Sequence, residues 1–194
     1  MASSGAPAGT LVVTDYQREG KGRLGRRWLA PAGASLLFSL LFRPSWPPEQ
    51  ANWLTMIAGL SAVEAINSLT GLEPGLKWPN DVVVSHGAGW RKLGGLLLEG
   101  HFTDGRLSAA ILGIGINVNV LPEDLPQTQP PATSLLSESG SRIPRPELLG
   151  RLLANLESKY ERAERGHSPH ADWEGNLVTL GRRVTATQAG TLSR

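Results

Sequence analysis

Residues 17–28 read Gln17-Arg18-Glu19-Gly20-Lys21-Gly22-Arg23-Leu24-Gly25-Arg26-Arg27-Trp28, a glycine-spaced run with five basic side chains, one acidic one and a terminal indole. Glycine lets the backbone adopt positive φ and lets ligand atoms approach the N–H groups closely. Basic side chains supply fixed positive charge, and arginine grips phosphate oxygens through two donors. The run therefore predicts a loop that binds a phosphorylated ligand.

The spacing Gly20-x-Gly22-x-x-Gly25 also matches the fingerprint of dinucleotide-binding folds. In those folds the glycine loop follows a strand and opens directly into a helix. A strand is predicted before the loop, at residues 10–17, because this stretch is rich in β-branched residues. After the loop, however, comes a second apolar strand-like run, Ser35–Phe42, where a helix is required. The context therefore argues against a dinucleotide-binding fold.

The rest of the chain combines short strands with two long helices. Apolar residues at three- and four-residue steps predict a helix over about 49–69 with one core-facing stripe, and an amphipathic helix over 146–165. Further strands are predicted at 76–78, 81–84 and 91–99, from 107 onward, and at 178–187. This pattern predicts an α+β fold in which helices pack on a mixed β-sheet.

One predicted strand has an unusual face. From residue 113 to residue 120 the alternation is strict, with Ile114, Ile116, Val118 and Val120 on one face and Gly113, Gly115, Asn117 and Asn119 on the other. Glycine weakens a strand, so such a face indicates that a ligand or another part of the backbone lies close against it. The alternative is a β-bulge with an exposed polar edge.

Composition excludes several classes of function. A net charge of +2 does not provide the extended basic surface typical of nonspecific nucleic-acid binding. The absence of cysteine excludes disulfides, thiolate metal sites and a cysteine nucleophile, and the four scattered histidines do not predict a zinc site. No apolar run approaches the roughly 18 residues of a membrane span, and the first residues lack a signal-peptide pattern. We therefore expect a cytoplasmic protein.

Two further clusters have the residue types of a nucleotide site. They are Lys77-Trp78-Pro79-Asn80-Asp81 and Arg91-Lys92-Leu93-Gly94-Gly95. If their strands are neighbours in one sheet, they surround a common cleft with cations, an amide and a carboxylate. Asp81 is a candidate Mg²⁺ ligand, because Mg²⁺ typically takes one or two carboxylates together with the phosphates of the substrate.

In their order along the chain, these segments resemble the catalytic domain of biotin protein ligases, some of which also repress biotin synthesis. The resembling segments are Gly20–Trp28, Lys77–Asp81, Arg91–Glu99 and Gly113–Asn119, and the similarity extends from about Thr10 to Val184. The resemblance implies an α+β domain like that of class II aminoacyl-tRNA synthetases. It also implies ATP-dependent activation of biotin to biotinyl-5′-AMP, followed by transfer to a lysine of a biotin carboxyl carrier protein.

The resemblance assigns roles to individual residues. It implies that the catalytic residues are Lys92 and Arg23, while Asp81 stays the candidate Mg²⁺ ligand that its residue type suggests. It implies biotin contacts from Gln17, Lys21, Gly22, Arg23, Lys92, Gly94 and Gly95. It implies ATP contacts from Arg23, Arg26, Trp28, Lys77, Asn80 and Asn117. Loop 17–28 then becomes a lid that excludes water from the acyl-adenylate.

The sequence also departs from the family. Residues 1–9 are expected to be a flexible lead-in, and residues 10–180 a catalytic domain without the family's first strand and helix, which carry a Ser/Thr-Thr-Asn motif. Residues 181–194 correspond to the start of a truncated SH3-like barrel, and no DNA-binding winged helix or membrane partner is expected. Homodimerisation is compatible with this assignment. Two alternatives stay open: a weakly active or inactive remnant that binds biotin or nucleotide, and a lipoate-type ligase.

Overall fold

One antiparallel sheet of six strands organises the fold. The computed structural model describes residues 5–184, 186–188 and 191–193. Its strands are β1 (Leu11–Thr14), β2 (Ser35–Phe42), β3 (Pro74–Lys77), β4 (Asp81–His86), β5 (Gly89–Thr103) and β6 (Arg106–Asn117). They lie in the order β1-β2-β6-β5-β4-β3, and every neighbouring pair is antiparallel. The expected α+β class is confirmed. The sheet was expected to be mixed, but within these residues parallel pairing is limited to two isolated bridges.

In the described ranges, four helices accompany the sheet, and three short 3₁₀ turns lie in the connections. The helices are α1 (Trp53–Thr70), α2 (Leu135–Ser139), α3 (Arg145–Glu164) and α4 (His170–Gly175). The 3₁₀ turns are Arg23–Gly25, Pro48–Gln50 and Pro122–Asp124. Within the described part of the chain, no helix is both long and apolar enough to cross a membrane.

Helix α1 is buried on most of its circumference, which corrects the expectation of a single core-facing stripe. It contacts β3, β4 and β5 on one side and α3 and α4 on the other. Its small residues Ala58, Gly59 and Ser61 are fully or nearly fully buried, so that neighbouring elements can approach closely. The helix also begins at Trp53, after the Pro48–Gln50 turn, rather than at residue 49.

The hydrophobic core lies on one face of the sheet, between the strands and the helices. Burial of one large apolar side chain contributes about 1.5–3 kcal/mol. The central strands and the two long helices supply most of the core, including Leu36, Phe38 and Leu40 of β2, Leu112, Ile114 and Ile116 of β6, Leu54 and Ile57 of α1, and Leu148, Leu152 and Leu156 of α3. The opposite face of the sheet is therefore the one that carries the candidate site.

Both ends of the chain differ from the simplest sequence interpretation. The expected strand at 178–187 is found only at its end: residues 178–184 form turns and irregular backbone, Thr185 lies outside the described residues, and residues 186 and 187 are in a strand. A short hairpin of β7 (Ala186–Gln188) and β8 (Thr191–Ser193) follows, and its assignment to an SH3-like barrel stays a prediction. In the expected lead-in, residues 1–4 lie outside the described part, while the amide of Gly9 donates to the carbonyl oxygen of Leu41.

Candidate functional site

A β-bulge in β5 turns Lys92 toward the face of the sheet opposite the hydrophobic core. Val82 pairs with Gly94 and Val83 with Lys92, so Leu93 is the extra residue. A bulge changes the alternation of side chains along a strand. As a result Leu93 and Leu96 both enter the core although they are three residues apart, and Lys92 and Gly95 face the other way.

Lys92 and Asp81 form an ion pair in this location. The Nζ atom of Lys92 lies 2.6 Å from Oδ1 of Asp81, and the two side chains are 23% and 15% exposed. The same Nζ lies 5.8 Å from the centroid of the Trp28 ring, within the range of a cation–π contact. Lys92 is therefore held between a carboxylate and an aromatic face, which fixes the position of its Nζ atom.

Glycines form the floor of the site. Register places Asp81 opposite Gly95, Gly95 opposite Gly115, and Gly115 opposite Leu37. A Cβ atom on Gly115 would lie 2.7 Å from Cε2 of Trp28, so only glycine lets the indole rest on the sheet. The predicted close approach to this face is thus made by a side chain, where a ligand or backbone was expected.

The polar residues of that face are enclosed, so the alternative of an exposed polar edge is wrong. Strand β6 ends at Asn117, which is only 3% exposed and donates from Nδ2 to the carbonyl oxygen of Thr133 at 3.0 Å. Asn119 exchanges two hydrogen bonds of 2.9 Å with the backbone of Ile143. These amides fix neighbouring connections, and the predicted contact of Asn117 with ATP remains a prediction.

The basic loop folds back over the glycine floor. The amide of Trp28 donates to the carbonyl oxygen of Gly20 at 2.8 Å, and the amide of Gly22 to that of Arg26 at 2.7 Å. Gly20 has to be glycine because a Cβ there would collide with the backbone oxygen of Trp28. These two bonds give the loop a narrow base and deliver the indole to the sheet.

The loop borders an open cavity of about 550 Å³. Its walls are the loop residues 19–27 together with Leu97 and Glu99 of β5. Arg23 and Arg26 are exposed at its rim, and Nζ of Lys21 lies 3.9 Å from Oε1 of Glu99. Sequence reasoning missed Glu99, although the period of two from Gly95 through Leu97 assigns it to the same face.

The remaining predicted residues have other contacts. Asn80 donates from Nδ2 to the carbonyl oxygen of Leu96 at 2.7 Å, which fixes the turn between β3 and β4. A Cβ on Gly94 would lie 2.7 Å from the carbonyl oxygen of Gly115, so close strand packing explains this glycine. Lys77 is half-buried at the end of β3, opposite Asp81. Gln17 lies under the loop, with Oε1 2.9 Å from the position of a Cβ on Gly20.

Asp81, the expected Mg²⁺ ligand, has a cationic partner in the structure. One of its carboxylate oxygens already contacts the Lys92 ammonium, and a divalent cation there would have to compete with that charge. In the described residues no group of three or more histidine, aspartate or glutamate side chains is arranged to hold a metal ion. Asp81 is the ion-pair partner of Lys92, and its role as an Mg²⁺ ligand stays a prediction.

Together these features place a lysine on a glycine floor beside an arginine-rich loop in an α+β domain, an arrangement of positive charge that can bind an anionic ligand. The model of the biotin/lipoate A/B protein ligase family matches residues 1–117. The chain belongs to this family.

Individual relatives agree with this assignment. The bifunctional ligase/repressor BirA of Bacillus subtilis is 34% identical over 189 residues, which are 96% of this chain and 57% of that protein. The biotin–[acetyl-CoA-carboxylase] ligase of Mycobacterium tuberculosis is 35% identical over 97% of this chain and 69% of its own length. The chain thus spans only about half to two thirds of these relatives.

A solved structure has the same fold. It is the biotin protein ligase from Aquifex aeolicus in complex with biotin and ATP, which superposes with a TM-score of 0.77 at 30% identity. The match covers 95% of this chain and 75% of that one. The arrangement of strands, loop and helices described above is therefore that of a biotin protein ligase domain.

Proposed function

We propose that this chain is a biotin protein ligase, which activates biotin with ATP and transfers it to a carrier-protein lysine. The observation that carries the proposal is the position of Lys92, held by Asp81 and Trp28 on the glycine floor beside the basic loop. An ammonium in that position lowers the repulsion between a carboxylate and a phosphate that must react. Ligand-bound relatives of the same fold contain biotin and ATP.

In the first step a biotin carboxylate oxygen attacks the α-phosphorus of ATP. The new bond joins the carboxylate oxygen to phosphorus, and the bond to the bridging oxygen breaks to release pyrophosphate. Lys92 contacts both reacting anions, Arg23 and Arg26 neutralise the phosphates from the loop, and Mg²⁺ enters with the ATP phosphates. Gln17 and the backbone of residues 21–23 contact biotin, and Trp28, Lys77 and Asn117 contact the nucleotide.

In the second step the unprotonated amine of a carrier lysine attacks the biotinyl carbonyl carbon. An amide bond forms, the bond between the carbonyl carbon and the phosphate oxygen breaks, and AMP leaves. The amine loses its proton to the surrounding solvent. When the loop is open, water reaches the anhydride as easily as the amine does. Closure of the loop over the site therefore limits hydrolysis of the anhydride.

Pyrophosphate release and biotinyl-AMP detection test the first step directly. Purified chain is mixed with ATP, Mg²⁺ and biotin, and parallel samples contain lipoate or neither acid. We expect release that depends on biotin. Release that depends on lipoate alone would support the lipoate-type ligase, and binding without release by a folded chain would support the inactive remnant.

A further inference from the structure

A buried hydroxyl without a partner lies on the site face of the sheet. Ser35 begins β2 and is 0% exposed, and its Oγ atom has no hydrogen-bond partner among the residues that the structure describes. Most buried polar side chains do have one, so an exception needs an explanation. By contrast Ser61, also 0% exposed, donates from Oγ to the carbonyl oxygen of Ile57 at 2.7 Å.

The position of Ser35 follows from the alternation of β2. Leu36 and Phe38 point into the core, so Ser35 and Leu37 point to the opposite face. Ser35 pairs with Asn117, and Leu37 pairs with Gly115, on which the Trp28 indole rests. The hydroxyl therefore lies two residues along the strand, about 7 Å, from the glycine floor under the indole.

A second polar atom without a partner belongs to the same face. Nε1 of Trp28 is buried and has no hydrogen-bond partner within the described part of the chain, and it lies 3.0 Å from the position of a Cβ on Gly115. An indole N–H can only donate, whereas a hydroxyl can donate and accept. Two such groups fit a ligand that offers an acceptor to the indole and a donor or an acceptor to the hydroxyl.

The guanidinium group that contacts Ser35 is already engaged by other groups. Arg145 donates to the carbonyl oxygen of Ser35 at 3.1 Å and pairs with Asp15 at 2.8 Å, so its guanidinium serves the backbone and a carboxylate. The cations available for phosphate are Lys92 and the loop arginines. This division favours a neutral, planar hydrogen-bonding group beside Ser35.

We propose that the Ser35 hydroxyl is a ligand-binding group, which with Nε1 of Trp28 receives the polar edge of a neutral heterocycle. That chemistry has two sources in the proposed reaction, a nucleobase edge and a cyclic urea, and the inference rests on the proposed function. Ser35 has no charge and no conspicuous motif around it, so only its burial and lack of a partner identify it.

Ser35→Ala separates a binding role from a structural one, because the two predict opposite signs. Removal of a buried hydroxyl without a partner should leave the Tm of the ligand-free chain unchanged or higher. The same change should raise the Kd of one ligand about threefold to tenfold, the worth of one hydrogen bond. Calorimetric titration with adenosine and, separately, with biotin shows which ring contacts Ser35.

Two further variants complete the experiment. Ser61→Ala, a matched change on α1, should leave both Kd values unchanged. Ser35→Cys keeps most of the volume but bonds weakly, and should weaken the same ligand as Ser35→Ala does. It also decides the question if the alanine variant folds poorly.

The results that would overturn the inference are distinct from failure of the proposed function. If the unchanged chain binds a ligand but both Ser35 variants bind adenosine and biotin with unchanged Kd, Ser35 is not a binding residue. A lower Tm in Ser35→Ala with unchanged Kd values assigns the hydroxyl to the fold. If the unchanged chain binds neither compound, the proposed function fails as well.

Discussion

Lys92 shows how a single side chain is prepared for its role by its neighbours. The bulge at Leu93 turns it toward the site, Asp81 holds its ammonium at 2.6 Å, and Trp28 covers it. An exposed lysine explores many rotamers, whereas this one loses that freedom on folding, before any ligand binds. Ligand binding therefore requires a smaller further loss of conformational entropy from Lys92.

Replacement of Lys92 should affect chemistry more than folding. In Lys92→Met we expect the rate of biotinyl-AMP formation to fall about 10²–10³-fold, the usual loss when one electrostatic contact to the transition state is removed. Single-turnover kinetics measure this rate. The matched control is Lys159→Met, which removes an ion pair with Glu64 between α1 and α3 and should leave the rate within about twofold. Equal losses in both variants would contradict the assignment.

The glycine floor makes a second residue-scale prediction. Gly115→Ala puts a methyl group 2.7 Å from the Trp28 ring, so the indole must move off the sheet. We expect a loss of about 1–3 kcal/mol in the free energy of unfolding, typical of overpacking, and weaker ligand binding. Gly150→Ala is the control, because α3 has open space there and should gain a few tenths of a kcal/mol or more. Urea denaturation measures both, and unchanged stability in Gly115→Ala would contradict the proposed contact.

At the scale of elements, the sequence predicts regular segments well and irregular ones poorly. The bounds predicted for β2 are those observed, and α3 differs from its prediction by one residue at each end, because strong apolar periodicity defines both. The run predicted from Val178 is irregular as far as residue 184, because Gly181, at φ 73°, turns the chain after Val178 has bonded to Leu76. A run of β-branched residues indicates strand propensity, and a turn in the chain overrides that propensity.

The site was predicted to the level of its strands but not of its contacts. The motifs identified Lys92, Gly95 and Trp28, and these residues do lie together. The ion pair between Lys92 and Asp81 could not be foreseen, since it depends on a bulge that no local pattern indicates. The burial of Ser35 depends likewise on what packs over β2, which only the tertiary structure defines.

The connection before α3 depends on one amide. Asn119 donates from Nδ2 to the carbonyl oxygen of Ile143 and accepts from its amide, both at 2.9 Å. In Asn119→Ala two backbone groups lose their partner, so we expect a loss of about 1–3 kcal/mol in the free energy of unfolding. A midpoint in urea equal to that of the unchanged chain would show that the connection does not need this anchor.

The C-terminal end of α3 predicts a dependence of stability on pH. Burial acts to raise the pKa of Glu164, but hydrogen bonds from the Ser45 hydroxyl, Tyr160 and the Ser45 amide outweigh it, so the pKa is lowered from 4.5. A lowered pKa in the folded state adds stability above the unfolded value, which is lost as the pH falls through the folded value. Between pH 6 and about pH 3, the Tm of Glu164→Gln should therefore fall less with decreasing pH than the Tm of the unchanged chain. Identical profiles would contradict this.

At the scale of the whole molecule, the two faces of the sheet carry different parts of the structure. Helices α1 and α3 build the core on one face, while the opposite face receives the loop and its indole. The loop can then change with ligand binding without exposing the core, because the core contacts belong to other elements. Membership in the biotin/lipoate A/B protein ligase family fits this division.

Transfer of biotin to a carrier tests the central claim most directly. The purified chain is incubated with ATP, Mg²⁺, biotin and an apo biotin carboxyl carrier domain, and the intact mass of the carrier is measured. The account predicts an increase of one biotinyl group that requires ATP and is lost in Lys92→Met but retained in Lys159→Met. A folded chain that binds biotin and ATP yet leaves the carrier mass unchanged would contradict it.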